Sequence, residues 1–456
     1  MASSSSSATP SADPNRPHIA PTLREGGALA RGVGESALYV ADEDHKTVRR
    51  VPVPIGAIDT VTTLELAGAP AQVLPLDGRV LVTVRDPGLL VVLTPDARGA
   101  LTETARVELP DDAWGIAVTA DERIALVSSA WSHAVSAIDL TTAKKLWSVD
   151  VAREPRAIVV MADGKTAYVT HLVGSSLTRL DDLGAAEPKV RPIVLPSAPL
   201  RSPPNVTLAA SLGYAAVPNP EGSRLYVARH ALGALGEDAW FGASTVDVRL
   251  TANDMPLAPP RRDGQPFLRA DKATDGTELL VPGKPLSPFT QPRALAYRKR
   301  TRTLLVVSEG EDMVVELDAL GVDPTRGVLR NYAVGTNRDA TLPVASTCGA
   351  PQGIALSEDE NTAWVWCRGT CDLATLKLDD FAKGGGPTGD SASTPAAFAS
   401  PRTRWKQTAR SGVASSTTPR IASRVAGWPA PAATPRAGTT ATSGTRPSST
   451  RRTART

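Results

Sequence analysis

The sequence of 456 residues is poor in aromatics, at 4 %, and holds only 5 histidines and 3 cysteines. It contains no apolar run of about 18 residues, so no membrane-spanning helix is expected. Three cysteines exclude a disulfide-built miniprotein and a multi-cysteine zinc module. Acidic residues are absent after Asp390, and residues 391–456 carry eleven Lys and Arg. That leaves 39 basic against 47 acidic residues in the remainder, so the overall net charge of +3 describes neither part. An acidic body argues against nucleic-acid binding by the fold itself. A hydrophobic fraction of 41 % is enough for a large core.

Residues 1–27 open with the run Ser3 to Ser7 and continue with Pro10, Pro14, Pro17 and Pro21. Such a composition cannot bury enough surface to order itself, and the segment is expected to be disordered. It holds no charged-then-apolar signal. Ser-rich spacers commonly follow an export signal or a lipid anchor. The preferred reading is therefore a periplasmic or extracellular protein, a lipoprotein included, whose export signal is missing from this start. A cytoplasmic protein is the alternative.

From about residue 28 the chain repeats itself. One copy runs Arg156-Ala-Ile-Val-Val, Ala162-Asp-Gly-Lys, Thr166-Ala-Tyr-Val-Thr and Ser176-Leu-Thr-Arg-Leu. The runs are β-rich and too short for helices, and Asp163-Gly164 suits a tight hairpin. Aligning copies on the second run marks Tyr39, Val82, Leu126, Tyr168, Tyr226, Leu305 and Trp364, at gaps of 43, 44, 42, 58, 79 and 59. Turn signals precede most marks: Asp77-Gly78, Asp121-Glu122, Asp163-Gly164, Glu221-Gly222 and Asp359-Glu360. A period in the low forties with four strands per unit indicates an all-β, seven-bladed β-propeller over 28–385. Three consecutive gaps of 42–44 argue against an irregular β-sandwich. Leu38-Tyr-Val-Ala, Ala167-Tyr-Val-Thr and Leu225-Tyr-Val-Ala-Arg resemble the Tyr-Val-Thr-Asn repeat of bacterial, WD40-like β-propellers, over about 28–380. The resemblance implies the fold and leaves the function open, because such propellers serve as surface antigens, binding scaffolds, lactonases and partners of redox enzymes.

Four histidines fall just after the second strand: His45, His133, His171 and His230. An axial cluster of them would resemble the multi-histidine copper site of nitrous oxide reductase propellers, which makes them metal-ligand candidates. Their offsets from the marks, 6, 7, 3 and 4 residues, are unequal, so solvated loop histidines are the competing reading. The widened gap before Leu305 places an insertion at about 231–288, with Glu237, Trp240 and Phe241 as candidates for a partner-binding lid over the axial mouth. Folding back onto the fifth blade is the alternative. Cys348 precedes the first strand of the last blade and Cys367 ends its second. These strands are antiparallel neighbours, so the pair is a disulfide candidate that would imply an oxidising compartment, against free buried thiols. Cys367-x-x-x-Cys371 has neither redox nor c-type haem spacing.

The acid-free stretch within 386–456 reads as a disordered basic tail. It also fits out-of-frame translation of GC-rich DNA. Taking the third base of each codon with the first two of the next, residues 429–445 can spell Cys-Ala-Gly-Cys-His, the c-type haem attachment motif. Residues 410–421 can spell a stretch similar to that preceding the first haem motif of bacterial di-haem cytochrome c peroxidases. The resemblance implies a parent in which the propeller preceded a cytochrome c-like domain since lost by frameshift. The chain as written contains no Cys-x-x-Cys-His, so it is expected to bind no cofactor. The sequence thus reads as a non-enzymatic docking scaffold for a protein partner or redox domain. A metal-binding or enzymatic propeller with its site at the axial mouth is the alternative, and a nucleic-acid binder through the tail is a distant third. The ring should close between blades 1 and 7 through shared strands. Deleting residues 1–50 should then yield insoluble protein, whereas deleting 391–456 should leave the melting temperature nearly unchanged.

Overall fold

The computed structural model describes residues 24–55, 60–196, 210–235, 239–257, 289–334, 348–378 and 403–404. They form seven antiparallel sheets, each of consecutive strands in the order first to last, arranged as the blades of a propeller. Blade 1 comprises Leu29–Arg31, Ala37–Asp42, Thr47–Pro52 and Thr62–Glu65, and blade 2 comprises Pro70–Leu76, Arg79–Val84, Leu89–Pro95 and Leu101–Glu108. Blade 3 comprises Ala113–Val118, Ile124–Ser129, Ala134–Asp139 and Lys144–Asp150, and blade 4 comprises Pro155–Val160, Thr166–His171, Ser176–Asp181 and Lys189–Val194. Blade 5 has three described strands, Ala210–Pro218, Arg224–Leu235 and Ala239–Leu250. Blade 6 comprises Pro292–Arg298, Thr303–Ser308, Met313–Asp318 and Val328–Ala333, and blade 7 comprises Pro351–Leu356, Thr362–Cys367, Asp372–Lys377 and the two-residue Thr403–Arg404.

All seven marked residues lie on second strands. Tyr39, Leu126, Tyr168, Tyr226, Leu305 and Trp364 each belong to the apolar cluster shared with the following blade. Val82 is the exception. It packs in the cluster with blade 1, whereas its neighbour Leu81 faces blade 3 and is the true equivalent. An offset of one residue along a strand turns the side chain to the opposite face, which an alignment by composition does not detect. The expected turns join first to second strands, with Gly78, Gly164 and Gly222 at φ of 72°, 66° and 66°, where glycine carries no Cβ penalty.

The core is not one body but a series of wedges between blades. One apolar cluster lies at each of the seven interfaces, from blade 1 on blade 2 round to blade 7 on blade 1. At the closing interface Leu29, Leu38, Val40 and Val51 pack on Ala355, Trp364, Trp366 and Leu373. The first and last blades are therefore adjacent as expected. Among the described residues, however, they share no strand: each blade uses its own consecutive strands. Side chains make the closure instead. Arg31 pairs with Glu358 at 2.9 Å, and Arg368 reaches Asp44 at 2.6 Å. Residues 24–27 run along the inner strands of blades 3 and 2 before entering blade 1. Gly27 and Val73 exchange backbone hydrogen bonds, Gly26 N–H donates to Ile116 O, and Val118 N–H donates to Arg24 O. This segment staples the inner strands of blades 2 and 3.

Of the insertion expected at 231–288, residues 231–235 and 239–250 prolong the second and third strands of blade 5 to 12 residues each, against six in the second strands of the other blades. Residues 258–288 lie outside the described residues, as do residues 1–23, the unit 407–456, and all of 379–406 but Thr403 and Arg404. Those two pair with Leu373 and Asp372 respectively.

Close approach of inner strands requires glycine at two points. A Cβ on Gly115 would lie 2.0 Å from Arg156 O of the next blade, and one on Gly353 would lie 2.7 Å from Leu29 N at the closing seam. Gly115→Ala should therefore force blades 3 and 4 apart and cost about 1–3 kcal/mol, read as a lowered urea midpoint. Trp366→Ala, at a site 1 % exposed in the closing cluster, should cost about 3–5 kcal/mol by the same measurement.

Candidate functional site

The first strands line the axis, and in blades 2 to 7 each carries a β-bulge, near its start in all but blade 5, where it lies mid-strand. A bulge inserts a residue against a single partner and re-aims its side chain. The extra residues include Ala71, Trp114, Arg156, Tyr214, Arg293 and Gln352, and all six line one axial cavity of about 640 Å³. Second-strand hydroxyls hold the bulges in place. Thr83 Oγ1 accepts from Gln72 N–H at 3.0 Å and donates to Trp114 O of the next blade at 2.6 Å. Ser128 Oγ accepts from Gly115 N–H at 2.8 Å and donates to Arg156 O at 2.6 Å. Thr170 Oγ1 accepts from Ala157 N–H at 3.0 Å. Each such hydroxyl satisfies the amide that a bulge would otherwise leave unpaired.

A belt of guanidinium groups and carboxylates surrounds this end of the cavity. Arg368 binds Glu43 at 2.6 Å, and Glu43 also pairs with Arg85. Arg85 Nε donates to Asp112 Oδ1 at 2.5 Å. Arg156 lies 3.6 Å from Asp112 Oδ2 and 2.7 Å from Glu154. Arg293 pairs with Glu309, whose second oxygen accepts from Gln352 Nε2 at 3.3 Å. The guanidiniums also stack on rings: Arg85 and Arg156 lie 4.6 and 4.1 Å from the Trp114 centroid, and Arg293 lies 3.8 Å from that of Tyr214. Glu25 enters the same cavity from the segment 24–27, and burial pushes its carboxyl above the usual range.

The four histidines do not converge there; none lines the cavity. His171 ends the second strand of blade 4, 2 % exposed, with Nδ1 3.0 Å from Arg153 O and Nε2 2.8 Å from Thr178 Oγ1. His230 Nδ1 lies 2.8 Å from Ser244 Oγ, and burial lowers the ring's proton affinity. His133 occupies a second-to-third-strand turn at φ 51°. Among the described residues, only His45 joins a cluster of metal-ligating groups, with Asp42 and Cys371. Trp240 and Phe241 lie on the third strand of blade 5, opposite Ala234 and Gly233, and Glu237 lies outside the described residues. Cys348 and Cys367 are joined by a disulfide at a Cα separation of 4.9 Å, leaving Cys371 free. Sequence reasoning did not assign the bulge residues. Their signal is the recurrence of Pro155-Arg-Ala-Ile, Pro292-Arg-Ala-Leu and Pro351-Gln-Gly-Ile at the head of three first strands.

No protein-family model matches the chain, and no curated protein does. Solved structures match in fold. Hydrazine synthase from Kuenenia stuttgartiensis is 16 % identical, with a TM-score of 0.54 over 79 % of this chain and 97 % of that one. Virginiamycin B lyase from Staphylococcus aureus is 13 % identical, with a TM-score of 0.50 over 77 % and 95 %. At such identities the likeness is one of fold alone. No helix among the described residues is long and apolar enough to cross a membrane.

Ser128→Ala should orphan Gly115 N–H and Arg156 O and cost about 1–3 kcal/mol in a urea titration. The buried His171 provides a second test. Burial lowers its pKa to about 4, against about 6.5 for the ring in an unfolded chain. Between these values the unfolded chain binds the extra proton. The stability carried by the neutral ring is therefore complete above about pH 6.5 and is lost as the pH falls toward 4. The urea midpoint should fall across this window, and less steeply in His171→Gln.

Proposed function

We propose that the protein is a non-enzymatic binding and docking scaffold that receives a partner at the axial mouth. One observation carries this reading: bulges at successive inner strands turn Trp114, Arg156, Tyr214, Arg293 and Gln352 into a single cavity of about 640 Å³. Aromatic and Arg side chains are the usual anchors of recognition surfaces, and the volume lies in the range of ligand sites. Glu43, Asp112, Glu154 and Glu309 are each engaged by a guanidinium, which fixes the stacked guanidinium planes that a newcomer meets beside them. A carboxylate-bearing segment complements them. The lengthened hairpin of blade 5, with Trp240 and Phe241 near its tip, provides a second contact in this reading.

The partner we favour is a redox domain, because the shifted frame of residues 410–445 can spell a c-type haem motif behind the propeller. The disulfide supports an oxidising, periplasmic or extracellular compartment. Nucleotide sequence across codons 380–456 tests the partner: third bases that fail to spell the motif would sink it. A second reading, acid–base chemistry at the axis, rests on Glu25 and its raised proton affinity inside the cavity. Its mark would be a turnover lost in Glu25→Gln.

The docking reading predicts saturable, salt-sensitive binding of a polyglutamate peptide to the full chain by calorimetry. Arg293→Ala should weaken it about tenfold or more, since a charged hydrogen bond contributes about 1.5–3 kcal/mol. No binding to the wild type would overturn the proposal. So would binding unchanged in Arg293→Ala, as expected if the peptide sat on the basic tail.

A further inference from the structure

The closing seam brings together three ligating side chains from two blades. Asp42 ends the second strand of blade 1, and His45 lies in the turn that follows it. Cys371 lies in the corresponding turn of blade 7, immediately before the third strand. The sulfur is 3.7 Å from Asp42 Oδ2 and 4.0 Å from His45 Nδ1, and both carboxylate oxygens lie 2.9 Å from that nitrogen. We propose that Asp42, His45 and Cys371 form a zinc site that clamps blade 1 to blade 7.

The geometry separates a chelate from a catalytic relay. In a nucleophilic relay the carboxylate and the thiol sit on opposite ring nitrogens, so that a proton can cross the imidazole. Here both face the same nitrogen, and three donors converge on one point. A tetrahedral ion with bonds of about 2.0–2.3 Å separates its donors by roughly 3.3–3.5 Å. The observed separations of 2.9, 3.7 and 4.0 Å straddle that range, so side-chain adjustments of a few tenths of an ångström admit the ion. One thiolate, one imidazole and one carboxylate form a borderline donor set that suits zinc and disfavours magnesium or calcium. Zinc would displace the thiol proton to solvent. Arg49 donates to Asp42 Oδ2 from Nε at 2.8 Å and lies 2.7 Å from it at Nη2, which orients the carboxylate and leaves Oδ1 for the ion. The His45 side chain is 33 % exposed, which leaves a path from solvent and room for a water as the fourth ligand.

Cobalt titrated into the purified full-length protein should give a thiolate-to-cobalt charge-transfer band saturating at one equivalent and removed by zinc. The band should vanish in Cys371→Ser, and cobalt affinity should fall more than tenfold in His45→Gln. Zinc should raise the melting temperature of the wild type and not of Cys371→Ser. Because Cys371 is the one thiol outside the disulfide, a test without a variant is available: zinc should slow its alkylation by iodoacetamide at least tenfold. A wild type without the band, a band that survives Cys371→Ser, or an alkylation rate indifferent to zinc would overturn the site.

Discussion

Every blade leaves both faces of its sheet to be covered by its neighbours, so the apolar surface is buried only when the ring is complete. The seven clusters between blades express this constraint, and the one joining blade 7 to blade 1 closes the ring. No strand crosses that seam among the described residues. Its hold comes from Trp364 and Trp366 against Leu38 and Val40, and from the ion pairs Arg31–Glu358 and Arg368–Asp44. The aromatics are scarce, and two of the 8 tryptophans are spent at this one interface.

Closure also makes the axial mouth. Packing the inner strands around an axis brings backbone against backbone, which is why Gly115 and Gly353 have no room for a Cβ. The bulges follow from the same crowding: an extra residue turns the chain toward the axis, and Thr83 and Ser128 satisfy the polar groups exposed by the turn. Each of these two hydroxyls touches its own blade and the next, so the bulges are coupled around the ring. Arg85 and Arg156 share the ring of Trp114, and Asp112 lies between them, which fixes the guanidiniums before any partner arrives. A preorganised mouth of this kind loses little side-chain entropy on binding.

The seam and the mouth are neighbours. Arg368, which lines the cavity, lies three residues before Cys371, and Glu43 links Arg368 to Arg85 across blade 1. An ion held by Asp42, His45 and Cys371 would therefore stiffen one arc of the charged belt as well as the ring. The propeller fold hosts many activities, so function lies in this local chemistry and not in the fold.

The propeller was legible in the sequence because strand period and turn chemistry are local. Six of the seven marks share one strand position, and acid-Gly or acid-Glu turns stand where expected. The proximity of Cys348 and Cys367 follows from adjacent strands. Val82 was misplaced because a slip of one residue preserves composition while reversing the face. The axis was not legible. The direction of Arg156 or Arg293 depends on a bulge, and the partners of Trp114 come from two other blades. His45 could be named as a ligand from its residue type, but Cys371, 326 positions away, joins it only when the ring closes. Local pattern determined the blades; contacts between residues remote in the chain decided which side chains face the axis and which meet at the seam.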